Sequence, residues 1–228
     1  MRIGIMQPYL FPYIGYFQLM NKVDKFIFLD DVNFINKGWI NRNRLIISGE
    51  PRLFTIPLKN ASQNRKINEI EISREGYVPR KILKSIEESY RQEKYYKSVS
   101  PIISRVLLSD SDLISDIAKH SIINVAKYLG ITTEIVWSSS YYNQLDLKGQ
   151  ERILGICGQE NATEYWNLPG GSGLYEENLF KIKGVKLNFV GTGQIEPVNN
   201  LPGGWLHLSI LDNLMRLSIS NINKILSI

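Results

Sequence analysis

Apolar residues alternate with small or polar ones over Arg2-Ile3-Gly4-Ile5-Met6, a period of two that predicts a half-buried strand. The segment Gln7-Pro8-Tyr9-Leu10-Phe11-Pro12 follows, and its prolines fix φ and lack a backbone donor, so Pro8 ends the strand and Pro12 stands at or before a first helical turn. A helix from about Tyr13 to Lys22 leads into a second apolar run, Lys25 to Leu29, which delivers Asp30 and Asp31 to the same edge as the end of the first strand. Leu45 to Leu58 reads as two short strands around a glycine-containing turn, and Ile67 to Ile72 as another strand. Helical spacing then predicts a long tract from Pro79 to about Tyr96, a restart at Ser100-Pro101, and a helix from about Leu113 to Leu129 ended by Gly130. Strand and helix alternate through the rest: strands at 133–137, 164–167 and 186–190, helices at 146–158 and 174–181, and a terminal helix from Ser209 to Leu226.

Alternation of this kind predicts an α/β fold, a mainly parallel sheet with helices on both faces, plus a small β-hairpin. No repeat or linker marks a boundary, so residues 1–228 are expected to form a single domain. No apolar run approaches the roughly 18 to 20 residues of a membrane helix, and no cleavable leader opens the chain, which predicts a cytoplasmic protein without membrane insertion. The single cysteine, Cys157, excludes an internal disulfide and sits in an apolar helical pattern, as a buried structural thiol does. Neither His120 nor His207 has a partner at ligand spacing, so the sequence predicts neither a zinc site nor a Ser-His-Asp triad.

Charge adds a second feature. Residues 37–66 hold seven basic side chains against one acid, Glu50, within a chain of net charge +5. Lys37-Gly38-Trp39-Ile40-Asn41-Arg42-Asn43-Arg44 mixes an aromatic, amides and guanidinium groups, a set suited to stacking on a base and forking a phosphate, although a solvated basic face is the alternative. At the first strand's end, Gln7, Pro8, Tyr13, Gly15 and Tyr16 are candidates for a phosphate or acyl pocket at the helix N-terminus. Asp30 and Asp31 could act as general base, orient an ammonium group or hold magnesium; turn capping is the competing reading. Lys148 and Arg152, one helical turn apart, could reach a phosphate together, and Gly170 and Gly171 could let a loop backbone approach a ligand. Ser209 and Asp212 read as a capping box.

The opening βαβ resembles the HUP-type nucleotidyltransferases, in which His-x-Gly-His at the helix start binds the phosphates of ATP. Tyr13-Ile14-Gly15-Tyr16 stands in that place, with tyrosines for both imidazoles. Across the whole chain, Gln7-Pro8-Tyr9-Leu10-Phe11-Pro12-Tyr13-Ile14-Gly15-Tyr16-Phe17, Asp30-Asp31-Val32, Gly38-Trp39-Ile40-Asn41-Arg42-Asn43 and Ser209-Ile210-Leu211-Asp212 resemble the WbqC-like family. That resemblance implies a setting in bacterial surface-polysaccharide (O-antigen) biosynthesis, and some members are named glycine transferases acting on an amino sugar. It implies aminoacyl transfer to a nucleotide-linked amino sugar, with Tyr16, Asp30 and Asp31 in catalysis and an activated donor, either ATP with magnesium or an aminoacyl-tRNA. The partners expected are that sugar nucleotide and tRNA, and not DNA. The alternatives are a noncatalytic nucleotide-sugar-binding protein and an ATP-dependent nucleotidyltransferase or ligase.

Overall fold

The computed structural model describes residues 1–142, 146–191 and 208–227. In chain order its elements are β1 (Arg2–Met6), α1 (Ile14–Lys22), β2 (Lys25–Phe28), β3 (Arg42–Ile47), β4 (Glu50–Thr55), β5 (Leu58–Lys59), β6 (Glu71–Ile72), α2 (Pro79–Tyr90), α3 (Tyr96–Leu107) and α4 (Ile114–Leu129). There follow β7 (Glu134–Val136), α5 (Gly149–Gln159), β8 (Glu164–Asn167), α6 (Glu177–Ile182), β9 (Lys186–Phe189), α7 (Ile210–Arg216) and α8 (Ile219–Leu226).

Five strands form one sheet in the order β7-β2-β1-β8-β9, and every neighbouring pair is parallel. This is the α/β architecture that the strand and helix alternation predicts. The chain builds outward from β1 to β7 on one side and then crosses to β8 and β9 on the other, so the order reverses between β1 and β8. Side chains alternate between two cores as the pleat requires. Phe26 and Phe28 join the larger cluster with α1 to α4, whereas Ile3, Ile5, Ile27 and Tyr165 join the smaller one with α5 and Phe180. Gly4 lets α1 lie close on the sheet, since a Cβ there would meet Phe26 at 3.3 Å and Leu19 at 3.5 Å. The β3–β4 hairpin closes through Ser48 and Gly49, both at positive φ (55° and 81°), a backbone whose twist suits a two-residue hairpin loop.

Local pattern misplaces several boundaries. The tract expected from 79 to 96 stops at Tyr90, whose hydroxyl donates to Asp212 at 2.8 Å and accepts from the Ile46 N–H at 2.9 Å. The next helix begins at Tyr96 rather than at Ser100-Pro101 and contains Pro101 on its exposed side, where water can serve the carbonyl that proline leaves unpaired. The terminal helix is two, because Ser218 caps α8 by accepting from the Asn221 N–H. Residues 67–69 form a 3-10 turn before the two-residue β6, and residues 169–174 another before α6. Ser209 does cap α7, through the Leu211 N–H, but Asp212 is buried against Tyr90 and Arg216 instead of closing a capping box.

The loop after β1 is held by buried polar side chains from far along the chain. Phe11, fully buried, has φ of 42°, a left-handed conformation that a bulky residue rarely adopts. Its N–H donates to Ser121 Oγ at 2.8 Å, and its carbonyl accepts from Asn43 Nδ2 at 2.7 Å and from Ser209 Oγ at 2.8 Å. Asn43 Nδ2 also reaches the Leu10 carbonyl at 3.0 Å, and the Leu10 N–H donates to the Trp39 carbonyl at 2.9 Å. Asn43→Ala removes the side-chain donor to the Leu10 carbonyl and leaves the Phe11 carbonyl with Ser209 alone, and is expected to cost about 1–3 kcal/mol in urea unfolding. Asn43→Asp, which turns a carboxylate toward the same carbonyls, should cost at least as much.

Candidate functional site

In open parallel sheets, ligands bind outside the carboxyl ends of the strands where the strand order reverses. Here that place lies between the ends of β1 and β8, and it holds a cleft of about 360 Å³. Met6, Gln7, Tyr9 and Tyr13 line it from the β1 side; Asn167, Leu168, Gly170, Gly171, Leu174 and Tyr175 line it from the β8 side. Ile5, Leu29 and Ile35 complete the wall. Its size is that of a small-molecule site. None of these lining residues carries a formal charge; the cleft offers aromatic faces, amides and hydroxyls.

Tyr13 and Gly15 are coupled. A Cβ at Gly15 would stand 2.5 Å from Cε2 of the Tyr13 ring. Glycine is therefore required so that this ring can lie against the start of α1, which replaces the expectation that Gly15 admits a ligand. Tyr16 is fully buried and donates to the Gln7 carbonyl at 3.0 Å, so it braces the cleft's floor from behind and does not enter it. Pro8 is buried beneath the same turn. Tyr9 and Tyr13 also border a recess of about 60 Å³ with Pro12, Trp39 and Asn43, and the Arg44 guanidinium lies 5.3 Å from the Trp39 ring centre.

On the β8 side Asn167 organises a polar cluster. Its Oδ1 accepts from the Leu168 N–H at 2.6 Å, and its Nδ2 donates to Tyr165 Oη at 2.9 Å and Tyr175 Oη at 2.8 Å. The two phenol oxygens are 2.9 Å apart. A Cβ at Gly171 would come within 3.3 Å of Asn167 Nδ2, so glycine there leaves the amide in place.

The other expected site residues have different partners. Arg42 donates to the carbonyls of Lys37 and Gly38 and so ties its own loop; Asn41 Nδ2 donates to the Ile56 carbonyl at 2.8 Å, while Lys37 is exposed. The basic segment thus brings Trp39 and Asn43 beside the cleft but leaves Lys37, Asn41 and Arg42 out of the residues that line it. Lys148 is exposed at the head of α5, whereas Arg152 is buried, so the two do not form a common phosphate grip.

Asp30 and Asp31 are almost fully buried and belong to two ion pairs that the sequence does not announce. Lys119 Nζ lies 2.6 Å from Asp30 Oδ2, and Ser138 Oγ donates to Asp30 Oδ1 at 2.6 Å. Asp31 accepts from Arg152 Nη2 and Ser139 Oγ. With cations already bound to both carboxylates, they fit neither a magnesium ion nor an incoming amine, and they do not line the cleft. Among the described residues no group of three or more His, Cys, Asp or Glu side chains could hold a metal. Cys157 is buried, and burial pushes its thiol up to about 12, which keeps it protonated and unreactive at neutral pH. His207 lies outside the described residues, and His120 packs on Trp137.

The cleft contributors that pattern reading missed are Tyr9, Asn167 and Tyr175, together with the buried partners Lys119 and Ser138-Ser139. Tyr9 sits between two prolines, and Asn167 ends a strand just before Pro169; both positions are visible signals of a rigid strand exit.

This arrangement defines an open parallel-sheet α/β protein with an uncharged aromatic cleft at the reversal of strand order. The chain matches the WbqC-like protein family over residues 7–224 and belongs to that family. It is similar to the uncharacterized protein Rv1507c of Mycobacterium tuberculosis, with 26% identity over 216 residues, 93% of this chain and 92% of that one. No solved structure matches it. Among the described residues no helix is long and apolar enough to cross a membrane.

Removing one partner of a buried pair leaves the other charge uncompensated, so Asp31→Asn is expected to destabilise by about 3–5 kcal/mol, read from denaturant midpoints. Replacing the pair together with apolar residues should restore much of that loss. The phenols that line the cleft and those buried behind it predict a pH effect. Burial first, then Tyr9, raises Tyr13 to about 12, and burial raises Tyr9, Tyr16, Tyr165 and Tyr175 as well. The folded chain therefore holds these protons more tightly than the unfolded one. That stability is complete below the unfolded tyrosine value of about 10 and is lost as pH rises toward about 12. Denaturant midpoints should hold near pH 8 and fall steeply by about pH 11, together with a rise in phenolate absorbance.

Proposed function

We propose that the chain is a transferase that binds a nucleotide-linked amino sugar in the cleft between β1 and β8 and attaches an aminoacyl group, glycyl in the first instance, to the sugar amine. The observation that carries this reading is the cleft itself, at the reversal of strand order, with stacking faces from Tyr9, Tyr13 and Tyr175 and amides from Gln7 and Asn167. Such a wall suits a base or a sugar ring. No cationic side chain lines this wall, so a pyrophosphate here would be held by the amides of Gln7 and Asn167 and the tyrosine hydroxyls. The resemblance to the WbqC-like family suggests the setting, biosynthesis of a bacterial surface polysaccharide, and the chemistry of acyl transfer requires an activated donor, an aminoacyl-tRNA or an adenylate made from ATP.

The reaction balances without a protein base. The free amine attacks the carbonyl carbon of an aminoacyl ester or adenylate, an N–C bond forms, the C–O bond breaks, and the proton shed by nitrogen leaves with the departing group. That independence matters because Asp30 and Asp31 are held in ion pairs. The same lack of charge among the lining residues favours a second reading, a noncatalytic carrier of nucleotide sugars. Adenylyl transfer draws least support, because Tyr16 stands buried behind the cleft where the HUP pattern places a phosphate-binding histidine.

Isothermal calorimetry with UDP-glucosamine tests the binding. Tight binding is expected, with Tyr9→Ala weakening it about tenfold or more, as loss of a buried aromatic contact does. Incubation with glycine, ATP and tRNA, followed by mass spectrometry, should show a gain of one glycyl residue on the sugar nucleotide. Binding without that gain under every donor would leave the carrier, and no binding of any sugar nucleotide would end both readings.

A further inference from the structure

Tyr165 is fully buried, so its hydroxyl proton cannot be given to water. Among the described residues its hydroxyl has two neighbours at hydrogen-bond distance, Asn167 Nδ2 and Tyr175 Oη, and the amide nitrogen can only donate. The Tyr165 proton therefore has one destination among the described residues, Tyr175 Oη. Tyr175 in turn accepts from both Asn167 and Tyr165, which leaves no acceptor for its own proton within the cluster. Tyr175 and Asn167 both line the cleft, and Asn167 is locked by the Leu168 N–H on its other side.

We infer that the Tyr175 hydroxyl is a fixed, one-way hydrogen-bond donor presented to the cleft, and that it binds the acyl carbonyl oxygen that gains negative charge as the sugar amine adds. The assignment of the carbonyl rests on the proposed aminoacyl transfer; the direction of the proton does not. Two incoming hydrogen bonds polarise the Tyr175 O–H and strengthen it as a donor. Burial raises its titration above the usual tyrosine value while the bonds from Tyr165 and Asn167 act against that rise, so it keeps its proton at neutral pH. In the step, the amine nitrogen bonds to the carbonyl carbon and one C=O electron pair moves to oxygen, where Tyr175 stabilises it. Return of that pair expels the ester or phosphate oxygen, which leaves with the proton from nitrogen. Tyr175 donates throughout and is neither consumed nor deprotonated.

Neutron diffraction from deuterated crystals of the full chain reads the proton directly. The deuteron between the two phenols is expected on Tyr165, and the Tyr175 deuteron in the cleft. A deuteron on Tyr175 that points at Tyr165 overturns the inference, whatever reaction the protein performs. In the glycyl-transfer assay with UDP-glucosamine, Tyr175→Phe should lower kcat about 100-fold with KM within about threefold, as removal of one oxyanion donor does. Tyr165→Phe, which removes one polarising bond, should lower kcat by a smaller factor, and thermal melts of both variants control for folding. An unchanged kcat in Tyr175→Phe overturns the carbonyl assignment. If the unaltered chain transfers no glycyl group from any donor, the functional reading and the carbonyl assignment fall together, and the neutron map still decides whether Tyr175 is a one-way donor.

Discussion

The left-handed turn at Phe11 is the constraint on which the cleft depends. A bulky residue in that conformation costs of the order of 1–3 kcal/mol, and it persists only where its surroundings over-determine it. Here the surroundings come from three distant places: Asn43 in β3, Ser121 in α4 and Ser209 at the cap of α7. Burial of the whole Phe11 side chain, worth about 1.5–3 kcal/mol, offsets the strain. Because those three elements must all be in place before the turn is satisfied, the loop that carries Gln7, Tyr9 and Tyr13 forms with the tertiary structure and not before it. The consequence is a wall whose geometry is fixed by the fold as a whole.

The exit of β2 is fixed in a comparable way. Asp30 and Asp31, just beyond β2, turn to opposite sides: Asp30 meets Lys119 of α4, which packs in the larger core, and Asp31 meets Arg152 of α5, which packs in the smaller one. Buried ion pairs are weak evidence for net stability, because desolvation opposes their attraction. Their clearer effect is positional. They clamp the strand end between two helices, and the chain leaving it reaches Trp39, whose carbonyl accepts from Leu10.

The legible part of the sequence was the part governed by local period and local chain chemistry. Alternation gave β1, a continuous apolar run gave β2, and the succession of strands and helices gave β8; Gly130 ended α4 in the left-handed conformation that glycine tolerates, and Ser209 capped α7. Gln7, Tyr13, Gly170 and Gly171 were placed at strand exits by the same logic and share the cleft. What local period could not supply was which strands lie side by side. Without the adjacency of β1 and β8, nothing joins Tyr9 to Tyr175, and nothing marks Lys119 as the partner of Asp30. The basic segment shows the limit of counting charges: Arg42 is consumed by the carbonyls of Lys37 and Gly38, a local bond invisible in a net charge of +5.

A cleft built from neutral groups differs from a cationic one in what it can distinguish. Cationic side chains attract any phosphate over several ångströms and are screened by salt, whereas amides and phenols act only at contact and only in one direction. Held rigid, as the Phe11 turn and the Asn167 cluster hold them, such groups lose little freedom when a ligand arrives, and an analogue without the matching oxygen leaves a buried donor unpaired. A cleft of this kind discriminates by where its donors and acceptors point, and the hydrogen bonds among Asn167, Tyr165 and Tyr175 set those directions from within the fold.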